Sequence, residues 1–252
     1  MAGQGEELRG TNRMVVHGID RVLTVQRPVV LAHIRSIRKG RPDASPEEII
    51  RVLERRYLSA VTLGGAAAGA SSAIPGITTG VGLVLSGVET AGFLEASALF
   101  AQSVTEVHGI PVEDPDRARA LVMTMVLGDA GRQVLTQFAA QAAGRGPAKT
   151  ALWGELVSSA LPQAVVGPLA DQLKRRFLKR FGVTQGTNVL GRLIPFGIGA
   201  IIGGGGNHLL GRQIVRSARD AFAAPPATLP LWLEPLASDR PKRKRIAARG
   251  AE

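Results

Sequence analysis

The segment "LIPFGIGAIIGGGGNHLLG", residues 193 to 211, lies between Arg192 and Arg212 and holds no acid and no strong base. As a helix it is long enough to cross a bilayer. It nevertheless carries Pro195, four consecutive glycines from Gly203 to Gly206, Asn207 and His208. Glycine costs about 1 kcal/mol relative to alanine inside a helix. The segment is therefore a poor free helix, and it makes sense only when pressed against another backbone. Gly199, Gly203, Asn207 and Gly211 recur every four residues and form one candidate close-packing stripe.

A partner is present in the same chain. Residues 57 to 88 contain no charged side chain. Small residues recur there at four-residue spacing: Gly65, Gly69 and Ala73, then Gly82, Ser86 and Thr90. Pro75-Gly76 between the two sets reads as a break. Two readings follow from these segments. In one they form a hairpin that inserts into a bilayer; in the other they form the tight core of a helical bundle. In either, Asn207 is placed to hydrogen-bond across the contact.

The rest of the chain reads as helix, without strict alternation of apolar and polar residues. Residues 14 to 24 and 28 to 39 are amphipathic, the second with Val30, Ile34 and Ile37 opposite Arg35, Arg38 and Lys39. "SPEE" at 45 to 48 is a helix start: Ser45 caps, Pro46 suits the first turn and Glu48 completes a capping box. That helix is expected to weaken at Gly64 and Gly65. A later one is expected to run to His108 and stop at Gly109. Asp114-Pro115 opens the next. Further helices are expected over 130–143, 148–160, 163–181 and 213–222. The organisation expected is all-α: a multi-helix bundle with two glycine-rich apolar segments. Residues 1–44 are basic amphipathic helices, 45–223 the helical domain, and 224–252 a mobile basic Pro-rich tail with an apolar patch at 229–233.

Composition narrows the function. Of 252 residues 45% are apolar but only 4% aromatic, and 31 are glycine, a mixture that suits backbone-to-backbone helix packing. Thirty-one bases against 20 acids give a net charge of +11, which implies an anionic partner. The absence of cysteine excludes disulfides, thiolate zinc sites and cysteine nucleophiles. The first residues, "MAGQGEELRGTNR", lack an apolar signal core, so a cytoplasmic location is expected. Phosphate-loop, zinc-protease and nucleophile-elbow motifs are absent, so no cofactor and no catalytic residue is assigned.

The sequence resembles the EcsC protein family of bacteria. Three stretches carry the resemblance: "EEIIRVLERRYLSAVTLGGAAAGASSAIPGITTGVG", "FLEASALFAQSVTEVHGIPVEDPDRARALVMTMVLGD" and "LIPFGIGAIIGGGGNHLLGRQIVRSARDAF". In the third, Asn207, Arg212, Arg216, Ala218, Arg219 and Phe222 fall where the family pattern places them. The resemblance covers about residues 35 to 223. His108 departs from the tyrosine more usual at its place, and the glycine run is longer. The resemblance implies an all-α, membrane-associated protein on the cytoplasmic side, linked to transporters, with no reaction attached.

Anionic membrane lipid is thus the expected partner, together with a membrane protein complex or transporter. The expected lipid contacts are Arg35, Arg38 and Lys39; Lys174, Arg175, Lys179 and Arg180; and Lys242, Arg243, Lys244 and Arg245. Bases near a membrane surface contribute about 1 kcal/mol each. Nucleic acid competes as a partner through the tail, but few aromatics interleave with the bases and no binding motif appears. The expected role is non-enzymatic and organising. The alternative is a helical enzyme or metal protein using Glu95, Glu106 and His108. Against that set, Glu95 and Glu106 stand about 16 Å apart by helical rise, and Glu106 and His108 point different ways. Pairing with the arginine stripe 212, 216 and 219 is the expected fate of these carboxylates.

Overall fold

The computed structural model describes residue 23 and residues 25–71, 79–143, 152–187 and 198–234. Within these, only the helical backbone is described at 68–71, 79–88, 142–143, 180–187 and 198–203. All regular structure among the described residues is helical. The helices are α1 Arg27–Gly40, α2 Pro46–Ser71, α3 Thr79–Val107, α4 Pro115–Leu127, α5 Asp129–Ala143, α6 Trp153–Glu155, α7 Gln163–Thr187 and α8 Ile198–Ala221. A π turn, Leu156–Ala160, continues α6, and a single 3-10 turn follows at Leu231–Leu233.

The helix starts and stops follow local chemistry. Ser45 and Glu48 form the reciprocal capping box at the start of α2, with bonds of 2.9 and 3.2 Å. Asp114 accepts the backbone N–H of Arg117 at 2.9 Å and opens α4, with Pro115 in its first turn. Gly109, at φ 78°, ends α3, and Gly128, at φ 58°, turns α4 directly into α5. A left-handed backbone at these two junctions is what glycine supplies without steric cost.

Two helices run further than the sequence pattern indicates. α2 does not weaken at Gly64–Gly65 but continues to Ser71, and α8 takes the four glycines into its first turns. Both extensions follow from their mutual contact. A Cβ on Gly211 would come within 3.0 Å of Val61 Cγ2 and 3.1 Å of Leu58 Cδ2. A Cβ on Gly204 would come within 3.2 Å of both Ala66 Cβ and the Thr62 carbonyl. As the α8 number falls, the α2 number rises, so the pair is antiparallel. Tertiary packing here overrides a low helix propensity.

The core spans nearly every element. Ile34 and Ile37 of α1, Leu53 and Tyr57 of α2, Leu94 and Ala101 of α3, Leu121 and Met125 of α4, Leu169 and Leu173 of α7, and Ile214 of α8 are all buried. Leu233 joins the same core with none of its surface exposed. The expectation of a mobile tail from 224 is therefore corrected for its first part: residues 224–234 lie against the bundle. Residues 235–252, with Lys242 to Arg245, fall outside the described residues, as do most of 14–24 and Pro75-Gly76. Of the helix expected over 148–160, residues 148–151 lie outside the described residues, and the described part is helical from Trp153. No helix among the described residues is long and apolar enough to cross a membrane.

The α2–α8 contact gives a direct test. Gly211→Leu must force α2 and α8 apart and should cost about 1–3 kcal/mol. Gly206→Ala meets no neighbour within 4 Å and should stabilise the fold by up to about 1 kcal/mol. Chemical denaturation followed by circular dichroism measures both. Equal effects of the two substitutions would contradict the packing described.

Candidate functional site

Antiparallel packing brings the two charge-free segments to one end of the bundle. That end is built from the C-terminal half of α2 and the N-terminal parts of α3 and α8. Three polar contacts sit within it. His208 Nδ1 and Thr62 Oγ1 are 2.9 Å apart, linking α8 to α2. The Thr62 hydroxyl donates to the Leu58 carbonyl at 2.6 Å. Asn207 Nδ2 donates to Glu89 Oε1 at 3.1 Å, linking α8 to α3. Glu89 is half-buried, and burial pushes its carboxyl above the usual carboxylate range, an effect the Asn207 bond opposes.

The opposite side of the α2–α8 pair is bare. Leu63 and Leu209 are 69% and 65% exposed. Each lies roughly a third of a turn round its helix from the contact residues. Because the helices are antiparallel, both side chains emerge on the same side of the pair, away from Asn207 and α3. Ser59, Ala60, Gly64, Ala67, Gly205 and Gly206 are exposed as well. The surface is thus small and apolar, with two projecting leucines.

Below it, at the level where Gly211 meets Leu58, stand four exposed arginines: Arg55 and Arg56 on α2, Arg212 and Arg216 on α8. Arg56 donates to Ser36 Oγ at 2.9 Å. Among the described residues, Arg55 and Arg216 bond only to helix carbonyls, of Arg51 and Arg212. Among the described residues no carboxylate pairs with any of the four. They form a positive collar directly under the charge-free end.

The remaining expected site residues are dispersed. Gly65 is buried in α2, while the surroundings of Gly69, Gly82, Gly199 and Gly203 lie outside the described residues. The contacting stripe on α8 is Gly204, His208 and Gly211, rather than one that includes Asn207. Asn207 reaches α3 instead. Of the expected lipid contacts, Arg38 is 7% exposed. Its guanidinium is spent on the carbonyls of Pro42 and Ala44 and on Glu234, the last at 3.1 Å. Arg35 is half-buried and donates to the Trp232 carbonyl at 3.2 Å. Lys174 is half-buried, 3.9 Å from Asp171. Lys39, Arg175 and Lys179 are exposed, and the Arg180 side chain is outside the described residues.

Glu95, Glu106 and His108 do not form a ligand set. Glu95 faces solvent. Glu106 is buried and committed: it accepts from Arg27 Nε at 2.6 Å and from Trp232 Nε1 at 2.8 Å. His108 stacks on Phe222 at 4.9 Å, with its ring nitrogens facing the Val104 and Ala223 carbonyls. Among the described residues no three His, Asp or Glu side chains gather as metal ligands. The arginine stripe does not supply the partners either. Arg219 instead holds Glu54 through two bonds, of 2.7 and 2.6 Å. Arg27, Glu54 and Trp232 were not singled out by the sequence pattern, because their partners lie 79 to 165 positions away.

No family model matches the chain, and no curated protein or solved structure matches it.

Glu89 yields a pH test. An acid whose folded pKa is raised binds its proton more tightly when folded. Its contribution to stability is therefore present at low pH and lost as pH rises from the ordinary 4.5 through the raised value. The stability of the natural chain minus that of Glu89→Gln should fall across this window and level off above it. Denaturant midpoints between pH 4 and 8 measure the difference. A flat difference would contradict the burial of this carboxyl.

Proposed function

We propose that this protein is a non-enzymatic, membrane-associated helical protein that docks on the cytoplasmic face of the cell membrane and organises a membrane complex or transporter. The EcsC resemblance points the same way. The observation that carries the reading is the juxtaposition of this end of the α2–α8 pair, whose single described carboxylate is the half-buried Glu89, with Arg55, Arg56, Arg212 and Arg216, which no carboxylate pairs among the described residues.

The physical logic is that of a protein lying at an interface. The exposed Leu63 and Leu209 gain by leaving water, at roughly 25 cal/mol for each Å² of apolar surface buried. Away from the helix termini, the backbone in this end satisfies its own polar groups, as lipid requires. The arginines just below would then meet the phosphate layer, where Lys and Arg flank inserted segments. Entry of one end into one leaflet needs no spanning helix. The bases first expected to bind lipid on α1 contribute less, since Arg38 and Arg35 are bound up with residues 232–234.

Cell fractionation tests this reading. The untagged protein should pellet with membranes, survive a high-salt wash and survive carbonate at high pH. Leu63→Glu with Leu209→Glu should convert it to a salt-released form. A natural chain that stays in the supernatant at low salt would overturn the reading.

A further inference from the structure

At the opposite end of the α2–α8 pair, away from the charge-free end, lies a cleft of about 690 Å³. Its size falls in the range of small-molecule pockets, roughly 300–1,000 Å³. Three helices and the start of the C-terminal segment wall it. Ile50 comes from α2, Phe100 and Val104 from α3, Ala218 from α8, and Phe222 with Ala223 close one side. The interior is aliphatic and aromatic. Phe100 is itself backed by Tyr57, stacked at 4.7 Å, so that wall is rigid.

The charged groups stand at the rim, in two unequal pairs, and His108 also lines the cleft, its ring nitrogens facing the Val104 and Ala223 carbonyls. Glu54 is buried, and two donors of Arg219 saturate it at 2.7 and 2.6 Å. Arg219 itself is 62% exposed, and its other amino group has no partner among the described residues. Arg51 and Glu47 pair at 2.8 Å but both are largely exposed. An exposed pair of this kind holds only weakly, so a ligand displaces Glu47 at little cost. The rim therefore offers unspent guanidinium donors over an apolar floor. Its one buried carboxylate is already satisfied and cannot serve a cation.

We infer that this cleft binds a monoanionic amphiphile with a single aliphatic chain, the chain lying on Ile50, Phe100, Val104 and Phe222 and the anionic head on Arg51 and Arg219. Guanidinium forks favour carboxylate and phosphate heads through paired charge-assisted hydrogen bonds. This inference does not rest on the membrane reading, because the cleft and the charge-free end use different residues.

Calorimetric titration of the full chain with laurate, below its micelle-forming concentration, tests the inference. Saturable binding of one laurate is expected. Dodecyltrimethylammonium, with the same chain and the opposite charge, should bind at least tenfold more weakly. Ala223→Trp places an indole in the cleft from an exposed position and should weaken laurate at least tenfold. Ala224→Trp, also at the cleft wall, serves the same purpose if the first variant fails to fold. Arg51→Gln should weaken laurate about three- to tenfold. Vesicle binding of Arg51→Gln and Ala223→Trp should stay unchanged, which separates this inference from the membrane reading. The inference is overturned if laurate does not bind saturably, if filling the cleft leaves its affinity intact, or if the cationic amphiphile binds as well as laurate.

Discussion

The close approach of α2 and α8 is the contact on which the rest of the molecule depends. Gly204 and Gly211 leave room for Ala66 on one side and for Val61 and Leu58 on the other. That spacing fixes an antiparallel register, and the register decides what lies at each end. One end collects the charge-free halves of both helices. The other collects Glu47, Arg51 and Glu54 with Arg219. Polar end and apolar end are thus consequences of one helix pairing. A protein that gathered the same residues without this register would spread its apolar surface rather than concentrate it.

The acids and bases are used unequally. Burying a carboxylate is costly unless it is paired and hydrogen-bonded. Glu106 meets that demand through Arg27 and the indole of Trp232, and Glu54 meets it through Arg219. The first of these ties the segment after α8 back onto α1 and α3. Arg38 reinforces the tie by reaching Glu234, and Leu233 fills the core beneath it. Bases consumed in this way are lost to any outside partner. Four others, Arg55, Arg56, Arg212 and Arg216, are exposed and border the glycine-rich end of the α2–α8 pair.

How far the sequence foretold this differs by feature. Local signals were reliable: the Ser45–Glu48 box, the Asp114 cap and the stop at Gly109 depend on neighbours within four residues. The all-α class followed from periodicity. One member of the expected α8 stripe, Asn207, lies off the α2 contact for a geometric reason. A strict four-residue spacing drifts about 40° per step against a helix of 3.6 residues per turn. Asn207 therefore falls to one side and reaches α3, whereas Gly204, His208 and Gly211 stay on the contact. Of the α1 bases expected to contact lipid, Arg38 is buried because it meets a residue 196 positions distant. The cleft was not legible at all, since its walls come from three helices and a loop that the sequence separates widely.

The claim that the charge-free end of the α2–α8 pair enters lipid is tested most directly by an environment-sensitive label. The chain has no cysteine, so Leu209→Cys carries a single nitrobenzoxadiazole probe without further changes. A second protein labelled at Asp171→Cys on α7 serves as the solvent-facing reference. On adding vesicles containing anionic phospholipid, the probe at 209 should shift to the blue and be quenched by spin labels on the acyl chains. The probe at 171 should stay unshifted. Vesicle-bound protein with an unshifted, unquenched probe at 209 would contradict the account, because the membrane would then be touching some other face of the molecule.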